Sequence, residues 1–224
     1  MSEPLSRAGG LRELAEGRFR QSIEIPRRFF EAEAERVSQA CLAMARRFNR
    51  GGRLLAFGAG NAVTDAQHVS VEFVHPVIVG KRALPAIALG TDIAATLGLA
   101  AQSGWSELYA RQIAAIGGAD DIALGIDPTG NDLAVLGGLT TAAERGLLTI
   151  ALTGGNGGAL ARAGADFCFV VPSDDPAVIQ ETHETLYHIL WELVHVFFDH
   201  KSGLAETLNS AEDAGRLHPS VRER

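Results

Sequence analysis

The sequence predicts an α/β protein with a doubly wound parallel β-sheet flanked by helices. Five short apolar runs are continuous rather than alternating, which indicates strands that are covered on both faces. These runs occupy residues 54–57, 86–89, 122–126, 148–152 and 167–171. Segments of helical periodicity follow them, at residues 65–74, 108–116, 133–145 and 159–163. Because parallel strands require crossover connections, this alternation predicts a parallel sheet with right-handed crossovers.

A long helix is predicted on each side of the strand region. Residues 29–48 carry an apolar stripe at helical spacing. Residues 177–200 contain neither proline nor glycine, and their many apolar side chains predict a helix packed on the sheet or in a subunit interface. We therefore predict a single domain over residues 29–200. An N-terminal extension at 1–28 and a surface tail at 201–224 complete the chain.

Composition excludes several functional classes. The 224 residues include 20 basic and 27 acidic side chains, and the resulting net charge of −7 disfavours binding to nucleic acids and to anionic membranes. No apolar run is long enough to span a membrane, and the N-terminus shows no secretory signal. The only two cysteines, Cys41 and Cys168, lie in apolar patterns without metal-binding spacing. We expect a cytoplasmic protein with two structural thiols.

Three loops at predicted strand ends have a composition suited to ligand binding. The first loop covers residues 58–65, the second 127–132 and the third 153–158. In open α/β sheets, ligands bind beyond the carboxyl ends of the strands, and glycine lets backbone N–H groups approach an anion. A strand-to-helix turn also needs glycine for steric reasons alone. The ligand-binding interpretation therefore depends on all three loops lying at strand ends.

Two predicted helices carry polar residues on one face. His68 and Glu72 are four residues apart on the helix after the first loop, while Gln180, Glu184 and His188 follow one another at single-turn steps near the C-terminus. Imidazoles and a carboxylate are suitable zinc ligands, and they also perform general acid–base proton transfer.

Spacing alone favours a simpler interpretation of these side chains. Histidine and glutamate on a helix are usually solvated or hydrogen-bonded residues without a special role. Asp65, one turn before His68, is predicted to serve as a capping or dipole residue at the start of its helix.

The first loop and the helix after it also carry a family resemblance. Residues 58–72 read GAGNAVTDAQHVSVE and resemble the pattern GNGGSxxDAQHxxxE of bacterial phosphoheptose isomerases, which are SIS-domain proteins. The similarity continues in the family's order over about residues 30–200. Its other segments are 81–89, 91–92, 109–112, 125–131, 152–154, 171–173 and 179–183.

This resemblance implies a fold, an activity and a set of site residues. It implies the SIS fold, a homotetramer with active sites between subunits, and an aldose–ketose isomerisation of sedoheptulose 7-phosphate through an enediol. Glu72 and His188 would move protons between C1 and C2 of the sugar. A possible zinc ion would be bound by His68, Glu72, Gln180 and His188. Substrate contacts would come from Gly58, Ala59, Gly60, Asn61, Asp92, Asp127, Thr129, Asp132 and Gln180.

The sequence departs from the family pattern where the phosphate would bind. An asparagine and a serine of the first loop are replaced by Ala59 and Ala62, and two serines of the second loop by Asp127 and Asp132. Two expected arginines are replaced by Pro76 and Val178. A carboxylate within ~5 Å of a phosphate costs on the order of a few kcal/mol. A penalty of ~4 kcal/mol weakens binding about a thousandfold, so altered phosphate binding is predicted.

Three functions are compatible with the sequence. The first is an isomerase that acts on a sugar or sugar phosphate and depends on a metal. The alternative is a non-catalytic SIS module that binds a carbohydrate derivative or a protein partner. The third is ordinary phosphoheptose isomerase activity, with the phosphate held by Thr129 and backbone N–H groups alone.

Overall fold

The computed structural model describes residues 8–199 and contains one five-stranded parallel sheet. All five predicted strands are confirmed, with shifts of one or two residues at their ends. They are β1 (Leu54–Gly58), β2 (Ala86–Ala88), β3 (Ile122–Asp127), β4 (Leu148–Gly154) and β5 (Phe167–Val171). Every residue of β1, β3 and β4 is buried, which explains why their sequences are continuously apolar.

The strand order β2-β1-β3-β4-β5 creates a reversal next to β1. Leu54 pairs with Ala86 of β2 on one side and with Ile122 of β3 on the other. After β1 the chain adds β2 on one side of β1. After β2 it returns to add β3 on the other side, and β4 and β5 follow in that same direction. A crevice therefore opens between the carboxyl ends of these two strands, as expected at a topological switch point.

Six α-helices connect or cover the strands in the described part of the chain. They are α1 (Ala8–Asn49), α2 (Ala62–Val74), α3 (Ile93–Ser103), α4 (Leu108–Ile116), α5 (Leu133–Glu144) and α6 (Pro176–Asp199). Short 3₁₀ turns lie at Trp105–Glu107 and Leu160–Arg162. None of these helices, within residues 8–199, is long and apolar enough to cross a membrane.

Two apolar cores cover the two faces of the sheet. One core joins α1, α2 and α6 to strand residues such as Leu54 and Ile150, and it includes Cys41, Met44 and Tyr187. The other joins α4 and α5 to residues such as Phe57. The predicted three-layer, doubly wound architecture is therefore confirmed. Helix α6 packs against α1, α2 and the sheet, which places its polar face next to α2.

The N-terminal helix is longer than the predicted segment at 29–48. Helix α1 starts at Ala8 and continues through Pro26, although proline removes one backbone hydrogen bond. Ion pairs of Glu24 with Arg27 and Arg28 surround this position. Further toward the N-terminus, Arg18 contacts Asp175 just before α6. The predicted domain boundary at residue 29 stays a prediction, and the predicted tail at 201–224 lies outside the described residues.

Two other helical expectations need correction. Residues 159–163 form only a single 3₁₀ turn, since Gly158 and Gly164 adopt positive φ angles on either side and leave too few residues for a helix. The sequence patterns also missed α3. Asp92 caps this helix by accepting a hydrogen bond from the Ala95 N–H at 3.0 Å.

Candidate functional site

A cavity of about 610 Å³ lies at the switch point between β1 and β3. The first and second loops form most of its wall, and the start of α6 closes it. Its lining comprises Ala59, Gly60, Asn61, Ala62, Asp65, Asp127, Pro128, Thr129, Asn131, Asp132, Pro176, Ala177 and Gln180. A smaller cavity of about 310 Å³ lies between the second and third loops. The predicted clustering of all three loops at one edge of the sheet is therefore confirmed.

The first loop is held by contacts to both neighbouring elements. The Ala59 N–H donates to the carbonyl of Ile126 at 3.0 Å, and the Tyr109 hydroxyl donates to the carbonyl of Gly58 at 2.6 Å. A Cβ atom at Gly58 would lie 2.4 Å from the carbonyl oxygen of Ala62. Glycine is required here because the strand passes so closely over the start of α2. Gly58 is buried and is not among the residues that line the cavity.

The second loop is organised around the carboxylate of Asp127. Oδ1 accepts hydrogen bonds from the Thr129 N–H and the Thr129 hydroxyl, both at 2.9 Å. Oδ2 accepts from the Asp132 N–H at 2.7 Å. Asp127 is only 2% exposed, although it contributes to the cavity wall. The carboxylate therefore occupies the centre of its own loop.

Asp132 serves as the N-cap of α5. Its Oδ1 accepts hydrogen bonds from the N–H groups of Ala134 at 2.9 Å and Val135 at 3.0 Å. Asp92 plays the same part at α3 and does not line the cavity. An aspartate directly before an apolar helical segment is a typical N-cap signal, although the sequence alone does not show whether the carboxylate faces the helix or a ligand.

Asp65 and Gln180 join α2 to α6 at the edge of the cavity. The Gln180 Nε2 donates to Asp65 Oδ1 at 2.9 Å, and both side chains line the cavity. Asp65 lies in the first turn of α2, as a dipole residue would, but its carboxylate bonds to Gln180 of α6 and does not cap the helix, so only the capping alternative of the prediction is wrong. Burial raises the pKa of Asp65, while the hydrogen bond from Gln180 opposes that change.

One turn further along α2, three side chains form a compact group that we call the His–Glu cluster. It consists of His68 and Glu72 from α2 and His188 from α6, and each can place one ligand atom within 4.8 Å of the others. The His68 Nε2 lies 3.3 Å from Glu72 Oε1. The rings of His68 and His188 meet edge to face, with centroids 5.2 Å apart.

The other ring nitrogen of His68 has a partner that the sequence reasoning missed. The Tyr187 hydroxyl lies 2.9 Å from His68 Nδ1, and Glu184 Oε1 lies 3.7 Å from the same nitrogen. Burial raises the pKa of Tyr187, and the nearby carboxylates add to this effect. The tyrosine hydroxyl and Nδ1 share one hydrogen bond, whose direction depends on the tautomer of His68, and Nε2 is directed at Glu72. Tyr187 and His68 are 119 residues apart in the sequence, and no local sequence pattern predicts a contact over that separation.

The donor set of the His–Glu cluster fits a catalytic metal. Two imidazoles and one carboxylate are a known protein ligand set for zinc, which leaves a further position for water or substrate. Three of the four predicted metal ligands are therefore close together. The fourth, Gln180, donates to Asp65 and lines the cavity, so its role as a ligand stays a prediction.

His183 of α6 lies apart from this group. It is fully buried, with Nε2 3.1 Å from the carbonyl oxygen of Thr153. Burial lowers the pKa of His183 to about 4, although the contact with Thr153 acts in the opposite direction. We therefore assign it a structural role between α6 and β4.

Comparison with known proteins gives the family. A family model described as the SIS domain matches residues 19–154. The chain belongs to the SIS domain family. This SIS protein is 39% identical over 176 residues to a phosphoheptose isomerase of Thermodesulfovibrio yellowstonii, an alignment that covers 79% of this chain and 87% of that relative. A phosphoheptose isomerase of Aquifex aeolicus is also 39% identical, with 79% and 92% covered.

A solved structure extends this similarity to the whole architecture. The phosphoheptose isomerase from Francisella tularensis superposes with a TM-score of 0.78 at 33% identity. The superposition covers 82% of this SIS chain and 97% of that one. The SIS fold implied by the sequence motifs is therefore confirmed.

The structure brings most of the predicted substrate contacts together. Those that line the cavity are Ala59, Gly60, Asn61, Asp127, Thr129, Asp132 and Gln180. Gly58 lies beneath it and Asp92 caps α3, so these two do not line it. The predicted catalytic residues lie further along the same pair of helices, with Glu72 about two turns beyond Asp65 on α2 and His188 about two turns beyond Gln180 on α6.

Proposed function

We propose that this SIS protein is a phosphoheptose isomerase-like enzyme that interconverts the aldose and ketose forms of a sugar or sugar phosphate. The observation that carries this proposal is the His–Glu cluster. Its members come from two helices that are distant in the sequence, yet they converge, and His68 lies one turn after Asp65, which lines the cavity at the switch point. The names of the relatives support the same reaction class.

In the proposed reaction, Glu72 and His188 move a proton between C1 and C2 of the sugar through an enediol. Glu72 is suited to this role because its side chain is only 12% exposed and lies beside His68. The Tyr187 hydroxyl orients His68 from the opposite side. Asp65 and Gln180 extend the polar surface from the cluster to the cavity.

We also propose that the cluster binds zinc through His68, Glu72 and His188, with Gln180 as the predicted fourth ligand. When bound, such an ion would polarise the sugar oxygens and favour the enediol. Metal analysis of the purified protein tests this part of the proposal. We expect close to one metal ion per chain, and a loss of metal in the variants His68→Ala and His188→Ala.

The same variants test the catalytic proposal. We expect both to lose isomerase turnover on sugars and sugar phosphates. A suitable control is His75→Ala, because His75 is exposed at the end of the same helix α2. Metal-free wild-type protein without turnover on any sugar would refute the enzyme proposal. It would favour the alternative, a non-catalytic module that binds a carbohydrate derivative or a protein partner.

We further propose that the protein acts as a homo-oligomer, with a tetramer as the expected state, in the cytoplasm. Helix α3 supports a subunit contact because it is apolar yet buries none of its residues within the described chain. Ile93 is 72% exposed, and Val79, in a nearby part of the sequence, is fully exposed. Light scattering after size exclusion should give a mass four times that of one chain. A monomer that retains full activity would contradict this proposal.

A further inference from the structure

Most hydrogen-bond donors of the second loop are bonded to acceptors within the protein. Asp127 accepts from the N–H groups of Thr129 and Asp132 and from the Thr129 hydroxyl. The Gly130 N–H donates to the Asp127 carbonyl at 3.1 Å. The Asn131 side chain donates to the Thr129 carbonyl and accepts from the Ala159 N–H. These donors are therefore already engaged and are not available to an anion.

The backbone N–H groups at the start of α5 also donate to an acceptor of the protein itself. Asp132 accepts from the N–H groups of Ala134 and Val135, which are the donors that a helix N-terminus would offer to a phosphate. In the first loop, the N–H groups of Ala62, Val63 and Thr64 donate to backbone carbonyls of the preceding turn. The second loop and the start of α5 thus resemble an anion site whose donors are occupied by the protein itself.

The charge of the cavity wall also disfavours an anion. Three carboxylates, Asp65, Asp127 and Asp132, contribute to the lining. Among the described residues that line the cavity there is no lysine, arginine or histidine. A phosphate close to these carboxylates would be repelled by each of them, and no cation of the lining would compensate.

One buried atom at this wall still lacks a partner. Asp65 is 5% exposed, and its Oδ1 accepts from Gln180, but its Oδ2 is buried without a hydrogen-bond partner among residues 8–199. Buried carboxylate oxygens are normally hydrogen-bonded. Because this oxygen has almost no accessible surface, a ligand reaches it when the carboxylate turns toward the cavity, and the hydroxyl group of a sugar would then supply the missing donor without adding negative charge.

We propose that the cavity binds a neutral sugar without a phosphate group, and that Asp65 Oδ2 accepts a hydrogen bond from one of its hydroxyl groups. This inference rests on the proposed function in that the ligand is taken to be a sugar. A volume of about 610 Å³ is ample for a monosaccharide. Asp127 and Asp132 then act as specificity residues, because they close the second loop to anions.

A matched pair of ligands tests the proposal. Calorimetric titration of the full-length protein with sedoheptulose and with sedoheptulose 7-phosphate compares the same sugar with and without the phosphate. We expect saturable binding of sedoheptulose with a Kd at least about tenfold lower than that of the phosphate ester. Equal or tighter binding of the phosphate ester would overturn the proposal. This holds even if a second subunit supplies a cationic side chain that compensates the phosphate. Binding of neither sugar would overturn it as well.

Variants assign the effect to individual carboxylates. The double variant Asp127→Asn and Asp132→Asn should bind sedoheptulose 7-phosphate about tenfold more tightly than wild type, while Asp65→Asn should weaken sedoheptulose binding about tenfold. The control Asp120→Asn removes an exposed carboxylate before β3 and should change neither Kd. Unchanged phosphate binding in the double variant, at wild-type melting temperature, would contradict the role of the second loop.

The experiment separates this inference from the proposed function because it measures binding rather than turnover. Selective binding of sedoheptulose without any isomerisation would leave the inference intact and overturn the enzyme proposal. Turnover of sedoheptulose 7-phosphate together with tight binding of that ester would support the enzyme proposal and overturn the inference.

Discussion

The His–Glu cluster and the second loop differ in what their polar side chains contact. In the cluster, side chains from α2 and α6 meet one another across 116 residues or more of sequence, with ligand atoms directed at a common point. In the second loop, two carboxylates bond to N–H groups at most five residues away. The cluster therefore keeps its chemistry available for a ligand, while the loop uses its polar groups to stabilise its own backbone.

Under the proposed function, this difference means that one family architecture keeps its reaction site while its recognition site changes. The cluster depends on the packing of two helices against one sheet face, which the apolar core fixes. The loop depends on a few side chains that can be replaced without disturbing that core. Variants in each region should therefore affect different properties, activity in the cluster and stability or specificity in the loop.

The largest effect is expected at Glu72. Replacement by glutamine preserves the shape of the side chain but removes the carboxylate that we propose to transfer protons. We expect kcat of the isomerase reaction to fall about a thousandfold, equivalent to about 4 kcal/mol, with little change in melting temperature. The exposed Glu192→Gln on α6 serves as the control. Retention of more than about a tenth of the wild-type rate would contradict a catalytic role.

The second largest effect is expected at Asp127, and it concerns stability. Asp127→Ala leaves the Thr129 N–H, the Thr129 hydroxyl and the Asp132 N–H without their acceptor. We expect the free energy of unfolding in urea to fall by about 3 kcal/mol, because the buried Asp127 carboxylate loses three partly buried hydrogen bonds of about 1 kcal/mol each. Asp174→Ala, at an exposed position, should cost less than about 0.5 kcal/mol. A loss below about 1 kcal/mol would show that the loop does not depend on this carboxylate.

The same contrast explains how much could be predicted from the sequence. The strands were predictable because β1, β3 and β4 are buried on both faces and their sequences are continuously apolar. The cluster was predictable in part, because a spacing of four residues places His68 and Glu72 on one helical face. Its completion by His188 came from the family resemblance, since no local pattern reports contacts between distant helices.

The internal bonding of the second loop could not be predicted in the same way. The sequence shows that Asp127 and Asp132 replace serines, but not whether their carboxylates face a ligand or the loop itself. That choice depends on the turn at Gly130, where φ is +70° and a Cβ atom would lie 2.3 Å from the Gly157 carbonyl oxygen. This turn brings the Asp132 N–H back to Asp127. Local aspartate-to-backbone bonding is common in such turns, and the sequence alone left it open.

A smaller effect is expected at Tyr187, which we regard as a positioning residue. Tyr187→Phe removes the hydroxyl group next to His68 Nδ1 and leaves the aromatic packing in place. We expect kcat to fall about tenfold with KM nearly unchanged, and metal affinity to fall about tenfold. Titration with a metal chelator measures the second quantity independently of activity. Normal metal affinity and normal kcat together would refute the positioning role.

The smallest effect is the dependence of stability on pH at Asp65. Because burial raises the pKa of this carboxyl group, the folded protein holds the proton more tightly than the unfolded chain. Its contribution to stability is therefore greatest below the unfolded pKa of about 3.9 and declines as the pH rises through the raised folded pKa. Asp65→Asn cannot titrate, so its stability relative to wild type should increase from pH 4 to pH 7.

Asp121 provides a comparison of opposite sign for the same urea titrations. Burial alone would raise its pKa, but hydrogen bonds from Arg53 and from the N–H group of Gly118 lower it overall. Its contribution is present above the unfolded pKa and is lost as the pH falls through the lowered folded pKa. Asp121→Asn should therefore lose stability relative to wild type as the pH rises from acid toward 4. Slopes of the same sign in the two variants would show that the folded protein does not disfavour ionisation of Asp65.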